Sequence, residues 1–532
     1  MPEAIDKSRR HFMQAAAAAT AGGVLLPSVL PAFGQDAGAT RLRVGLTPPA
    51  TQVTLGFMSE NTGTGPLQPM YEFLAIADRF TGEIVPNLAS DWQRSDDARQ
   101  WRVKLRSDVK FHDGTPFTAK DVVLSFNLIT AEDSRATTAA VFRKLMKSAD
   151  NIEVVNDHEL VFQLDVAEPE LPYYLTQGLL IYSKDYWDKV GQDGYAAAPI
   201  GTGPFKFKEF RPSQYILYSR VENHWRQTPE FGELQLMYMP EDTTRLAALL
   251  AGEIDIAEIP RAVQNQALAR GKAIVPSTRP AVIVSAKFGG NYLKPKGDKL
   301  NGPLTNKLVR EAMNLAVNRD EINQQIFNGH GVIAVVEGYQ PTDPEYNPDW
   351  KPYAFDPDKA KALLAEAGYK DGFDFDMTVV TPPGFPEVPT VVEAMSIYFT
   401  NIGLRPNLVQ MEVSDQNDKQ RSSDFYNTLY SNRQPLKPLF QAMEYFWSKG
   451  IYHFFEDPFI EEKMAKFPTG TAAEREQIIK DIGNFLHDQH ASLPIVYLNA
   501  EVAIDPKVVA EYKADIAGFG ASVGHEYTKA AK

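Results

Sequence analysis

Residues 101–122 read Trp101-Arg102-Val103-Lys104-Leu105-Arg106-Ser107-Asp108-Val109-Lys110-Phe111-His112-Asp113-Gly114-Thr115-Pro116-Phe117-Thr118-Ala119-Lys120-Asp121-Val122. Trp101 to Leu105 alternates apolar and polar residues with period two, the pattern of a half-buried strand. His112-Asp113-Gly114-Thr115-Pro116 is turn chemistry. Thr118 predicts a helix start, with Asp121 three residues on in the capping-box position. Val122, Phe126 and Ile129 then follow at the spacing of a buried helical stripe.

The same alternation of strand, turn and capped helix continues on both sides. Upstream, Leu42–Leu46 reads as a short strand ended by Pro48-Pro49. Downstream, Ile152–Val155 and Leu160–Leu164 fit a hairpin around Asn156-Asp157. A helix over Thr243–Ala251 stops at Gly252, and Leu308, Ala312, Leu315 and Ala316 form another helical stripe. Asn318 with Glu321, and Asp356 with Pro357, read as further helix starts. A helix near Ala472–His487 precedes the strand Ile495–Leu498. Interleaved strands and helices without repeats predict a mixed α/β class. The loops 287–303 and 339–353 look linker-like, as candidate domain crossings.

The chain has 532 residues, a formal charge of −14 and no cysteine. The acidic balance argues against a nucleic-acid binder, which needs a basic footprint. Without cysteine there are no disulfides, Fe–S clusters, Cys-ligated zinc or Cys nucleophile. Ser8-Arg9-Arg10-His11-Phe12-Met13 is a twin-arginine run before an Ala/Gly-rich apolar stretch, and Ala32-Phe33-Gly34 fits a cleavage site. Residues 1–34 are therefore expected to be a twin-arginine signal peptide, with an uncleaved anchor helix as the alternative. The expected product is an exported, soluble, periplasmic protein.

Each catalytic motif has a plainer reading. Gly520-Ala521-Ser522-Val523-Gly524 matches the G-x-S-x-G pattern, but too little chain follows for an acid and a histidine to fold back, so a flexible tail is expected. His487 and His490 lie three apart without the zincin glutamate and read as surface histidines at a helix end. Gly201-Thr202-Gly203-Pro204 lacks the Gly-Lys-Ser/Thr ending of a phosphate loop. No catalytic set, metal site or cofactor motif is expected. Lys287, Lys294, Lys296 and Lys299 read as a solvated loop, or else as an anion site. The aromatics of 425–455, with Arg433 and Lys437 among them, are either lobe core or the wall of a ligand cleft.

Several stretches together resemble the extracellular solute-binding proteins of family 5, the peptide- and nickel-binding components of ABC importers. Besides the His112 block these are Asn87-Leu88-Ala89-Ser90-Asp91-Trp92, Ile200-Gly201-Thr202-Gly203-Pro204-Phe205, Asn223-His224-Trp225, Leu249–Asp255 and Val309–Arg319. The similarity runs from about residue 40 to about residue 500. It implies a two-lobed, type II-like periplasmic-binding-protein fold with an extra subdomain, hinged around a central ligand cleft. The first lobe would span 35–285, with the subdomain at about 80–199; the second would span 286–499; and 500–532 would return to the first. The implied role is capture of a peptide-like or other small polar solute by a monomer, and delivery to an inner-membrane permease with its ATPase subunits.

Peptide-binding members of the family carry an acidic run where this chain has Tyr430-Ser431-Asn432-Arg433-Gln434-Pro435-Leu436-Lys437-Pro438. The local sign is positive, which favours an anionic or polyhydroxyl ligand group, as in an opine or sugar conjugate. The expected ligand residues are Tyr430, Asn432, Arg433, Lys437 and Trp447. The rival from another class is an exported hydrolase using cleft carboxylates.

Overall fold

A computed structural model describes residues 40–48, 65–78 and 81–532, less 133, 135, 137, 177–178, 295–301, 382–384, 386, 436–437, 451, 453 and 515–519. The signal-peptide expectation therefore lies outside the described residues. Of 431–435, 440 and 441 only the backbone is described.

Three larger sheets organise the chain. A seven-stranded sheet has the order Ala273–Pro276, Glu501–Ile504, Ile256–Ala257, Arg41–Leu46, Glu233–Tyr238, Tyr215–Arg220, Phe205–Arg211. A six-stranded sheet runs Val332–Ile333, Ser492–Leu498, Val282–Phe288, Thr428–Pro435, Asp374–Val379, Arg405–Gln410. A smaller antiparallel sheet of Ala89–Arg94, Gln100–Leu105, Glu159–Gln163 and Ile152–Asn156 is inserted between strands of the first. Each has its own apolar core, centred on Val44 and Leu236, on Val284 and Met395, and on Val103 and Phe126 respectively. The parallel pairings beside helices, with antiparallel strands at the margins, make the molecule mixed α/β.

The inserted sheet is built as its sequence reads. Trp101, Val103 and Leu105 are buried while Gln100, Arg102 and Lys104 are exposed. The helix Ala119–Thr130 starts with the capping box: Thr118 N donates to Asp121 Oδ2 at 2.8 Å. Asp121 is itself buried, and its Oδ1 accepts from Lys184 N at 2.7 Å, so one carboxylate fastens two helix starts together. Both ring nitrogens of His112 meet backbone: Nε2 lies 2.9 Å from Gly203 O and Nδ1 accepts from Gly201 N. The glycines of 201–203 serve close packing, since a Cβ on Gly201 would sit 2.1 Å from Met70 O.

The chain passes from the seven-stranded to the six-stranded sheet through 277–281 and returns through 499–500. The two crossings are bonded to each other. Ser277 N donates to Ala500 O at 2.7 Å, Ala281 N to Leu498 O at 2.8 Å, and Asn499 Nδ2 to Ser277 O at 2.7 Å.

Four expectations are corrected. Loop 287–303 begins too early, because Lys287 and Phe288 end a fully buried strand whose neighbours on both sides are paired. Segment 339–353 is no crossing: the strands before and after it share one sheet, and Tyr339 and Trp350 pack under the Ala472–Asp488 helix. The C-terminal tail is docked rather than loose, with Arg226 pairing to both Glu72 and Glu526 and the Lys529–Ala530 strand pairing to Val509–Glu511. His487 and His490 are partly buried, His487 stacked between Trp350 and Tyr353, and burial pushes the His490 imidazole down to about 4.

Candidate ligand site

The strand Val282–Phe288 has two different faces. Val282, Val284, Ala286 and Phe288 join the aliphatic core under the sheet, while Ser285 and Lys287 point to the opposite face, as strand alternation requires. On that opposite face Lys287 stands beside Tyr430 in register. Both are completely buried.

Lys287 Nζ lies 2.7 Å from Glu337 Oε1, and neither side chain has any exposure. The sequence reading of Lys287 as a solvated lysine is thus wrong, because Glu337 supplies a counter-charge from a segment far along the chain. Glu337 sits in the tight turn 336–339, where Gly338 adopts φ 83° and Tyr497 Oη donates to Val336 O. The contact is ionic only: Lys287 Nζ and both Glu337 oxygens lack a well-directed hydrogen bond. Ser285 Oγ, Gln340 Oε1 and Tyr430 Oη are buried nearby and likewise lack one. Buried polar atoms in proteins are normally satisfied. Here several with spare capacity are gathered in one region, which otherwise presents aromatic rings.

The rings come from 425–455. Tyr430 stacks on Phe425 with centroids 4.4 Å apart and meets Phe454 edge-on. Tyr445 stacks on Tyr452 at 5.7 Å, and Lys287 Nζ lies 5.6 Å from the Tyr445 centroid and 5.5 Å from that of Phe454. Trp447 is partly buried against the same cluster and carries Lys449 over its ring at 5.0 Å. Phe425, Phe446 and Phe454 are packed inside, as the core reading expects, while Trp447 and Tyr452 are partly exposed.

Facing this cluster is the short helix Leu171–Tyr174 that follows the inserted sheet. Tyr174 packs against both the core of that sheet and the aromatic cluster. Arg475 Nε lies 3.7 Å from Glu170 Oε1, and Arg94 Nη1 donates to Pro468 O at 3.4 Å. Burial is the main influence on the Glu170 carboxyl and raises it, against the pull of Arg475 and Arg94.

Of the five residues expected to touch ligand, Tyr430 and Trp447 belong to this aromatic cluster. Asn432 and Arg433 pair through their backbones with Ser285 and Val284, but their side chains, and all of Lys437, lie outside the described residues. Sequence reasoning did not single out Ser285, Glu337 or Gln340, and it met Lys287 only within a lysine run read as a solvated loop or an anion site. The run Val282–Phe288 holds the one available signal, a serine and a lysine two apart in an apolar strand. Among the described residues no group of three or more His, Asp or Glu is placed to hold a metal ion. None of their helices is long and apolar enough to cross a membrane.

The family model for bacterial extracellular solute-binding proteins, family 5 Middle, matches residues 83–452. Heme-binding protein A of Haemophilus influenzae is 28% identical over 83% of this chain and 84% of its own length. The dipeptide-binding protein of Escherichia coli is 27% identical over 83% of this chain and 86% of its own. The structure of HbpA2 from Haemophilus parasuis superposes with a TM-score of 0.74, covering 92% of this chain and all of that one at 23% identity. Like those relatives, the fold is that of a two-lobed periplasmic binding protein.

Proposed function

The chain belongs to the bacterial extracellular solute-binding proteins of family 5, and from that premise we propose that it holds a small polar, peptide-like solute between its two large sheets. Its role is that of the substrate-binding component of an ABC importer. The solute favours the closed arrangement by touching both sides, which shifts a pre-existing equilibrium between open and closed forms. The permease with its ATPase subunits then takes the solute over.

One observation carries the placing of the site: Ser285, Lys287, Glu337, Gln340 and Tyr430 gather unspent hydrogen-bonding capacity beside aromatic rings. A ligand's polar groups would satisfy those atoms, and its apolar parts would lie on the rings. Asn432, Arg433, Lys437 and Trp447 belong to the same proposed wall. We place the hinges at 277–281 and 499–500, which moves the first crossing a few residues before the boundary expected near 285. Residues 1–34 are the proposed twin-arginine signal, and the mature protein is a periplasmic monomer that binds without transforming its solute.

Native mass spectrometry of protein isolated from periplasm without denaturation tests this reading. A co-purified small molecule, recovered intact and bound at least tenfold more weakly by Gln340→Leu and Arg433→Ala in calorimetry, is the expected result. Unchanged affinity in both variants removes the proposed wall, and recovery of a chemically altered product would mark an enzyme instead.

A further inference from the structure

Beside the two crossings, the half built on the seven-stranded sheet meets the half built on the six-stranded sheet through a small set of charges. Glu501 opens the strand that follows the return crossing, and Arg261 and Gln264 stand on the helix Arg261–Ala269 of the same half. Arg261 Nε lies 3.0 Å and Gln264 Nε2 2.9 Å from Glu501 Oε2, so one carboxylate oxygen is held from within that half. The other oxygen, Oε1, lies 3.1 Å from Nδ1 of His330, which belongs to the opposite half. A second contact bridges in the same way: Arg261 Nη1 is 3.6 Å from Oε1 of Glu387, at the start of the helix Val388–Asn401.

His330 is presented by a braced turn. Asn328 and Gly329 both take positive φ, at 54° and 75°. Asn323, on the helix Arg319–Ile326, fastens the turn three times: its O accepts from Gly329 N at 2.9 Å, its Oδ1 accepts from Gly331 N at 2.9 Å, and its Nδ2 donates to Gly331 O at 2.8 Å. The imidazole is 46% exposed and Glu501 only 9%, so a proton from solvent reaches the ring while its partner stays fixed. Arg261 brings one positive charge to this cluster, and Glu387 and Glu501 bring two negative ones. Lys272, beside them, is taken up by Asp505 at 2.5 Å. The cluster is therefore one cation short when His330 is neutral and balanced when it is protonated.

We infer that His330 and Glu501 form a proton-operated latch between the two halves, engaged in acid and weakened as pH rises. Histidine is the side chain whose ordinary titration falls between pH 5 and 8. Protonation turns the neutral contact with Glu501 Oε1 into a charge-assisted one. Rotation about the adjacent crossings parts groups held at hydrogen-bond distance, so the added attraction weighs directly on the arrangement seen here. The half-exposed ring limits that weight to a few-fold in the balance of arrangements. The latch adds the acidity of the surrounding medium to a balance otherwise set by solute, and it rests on the hinges proposed above rather than on the ligand wall.

No solute is needed to test this. The chain has no cysteine, so Lys189→Cys and Lys361→Cys, exposed positions on opposite halves, carry a pair of spin labels whose separation is read by double electron–electron resonance. Measurement at pH 8 and pH 5.5 brackets the ordinary range of histidine while staying above that of glutamate. On acidification the ratio of molecules at this structure's separation to all others should rise about two- to fivefold. His330→Gln, folded by its melting curve, should remove at least half of that rise, and His330→Lys should hold the acid ratio at both pH values. Glu170 and Glu444, raised by burial, are present in parent and variant alike, so the comparison cancels their part. No rise, a fall, a rise that survives by more than half in His330→Gln, or a parent-like pH response in His330→Lys overturns the latch. The ligand wall stands or falls separately, by the calorimetry described above.

Discussion

At the scale of single residues, the decisive features are buried charges whose partners are remote in sequence. Lys287 and Glu337 hold each other in an apolar setting, so removing one strands the other. Lys287→Met should lower stability by about 3–5 kcal/mol in denaturant titration, and adding Glu337→Leu should recover much of it. Glu444 gives a pH signature. Burial raises its carboxyl from the usual 4.5 to about 7. Between those values the folded chain binds a proton that the unfolded chain has lost, so stability falls as pH rises through that window. Melting curves of the ligand-free protein should show that decline, and Glu444→Gln should reduce it. Neither feature was legible locally. Lys287 stands next to a lysine-rich stretch that reads as solvated, and Glu444 sits in an aromatic run where no motif marks a carboxyl whose titration burial shifts.

At the scale of elements the sequence was far more readable, because caps and strand alternation are local. The Ala472–Asp488 helix opens with a full capping box, Thr471 N donating to Glu474 Oε2 at 2.8 Å and Glu474 N to Thr471 Oγ1 at 3.3 Å. Thr471→Ala should cost about 1 kcal/mol, read as a lower melting temperature with solute affinity unchanged. The close approach at 201–203 is different in kind. Gly201→Ala would press a Cβ into the Met70 carbonyl and should cost about 1–3 kcal/mol by displacing that segment. The glycines suggested a phosphate-loop fragment, and only the position of Met70, set by the tertiary fold, gives their reason. The Pro-rich stretch 339–353 misled for a similar cause: it is a largely exposed loop whose Tyr339 and Trp350 anchor it against the Ala472–Asp488 helix instead of joining domains.

At the scale of the molecule, two polar contacts described above link the side of the inserted sheet to the side of the aromatic cluster. Arg475 with Glu170, and Arg94 with the Pro468 carbonyl, are long and partly exposed. They trim the open–closed balance without fixing it. Arg475→Ala should leave folding intact, enlarge the ligand-free protein in small-angle scattering, and weaken solute binding by at most about fivefold. The side of the crossings is firmer, since Arg261 donates to the Asn499 carbonyl and forms ion pairs with Glu501 and Glu387.

The two crossings also dictate an order of assembly. Ala273–Pro276 joins the seven-stranded sheet solely through Glu501–Ile504, which also borders Ile256–Ala257. While a ribosome is still making the chain, that sheet therefore keeps an open seam until residue 501 has emerged, although the strands flanking the gap were synthesised far earlier. The six-stranded sheet is a continuous insertion within the first, and it too waits for a late strand, since Ser492–Leu498 joins Val332–Ile333 to Val282–Phe288. The nascent protein is thus exposed to mispairing through most of its synthesis, and Glu501–Ile504, the last strand of that sheet to be made, acts as the keystone.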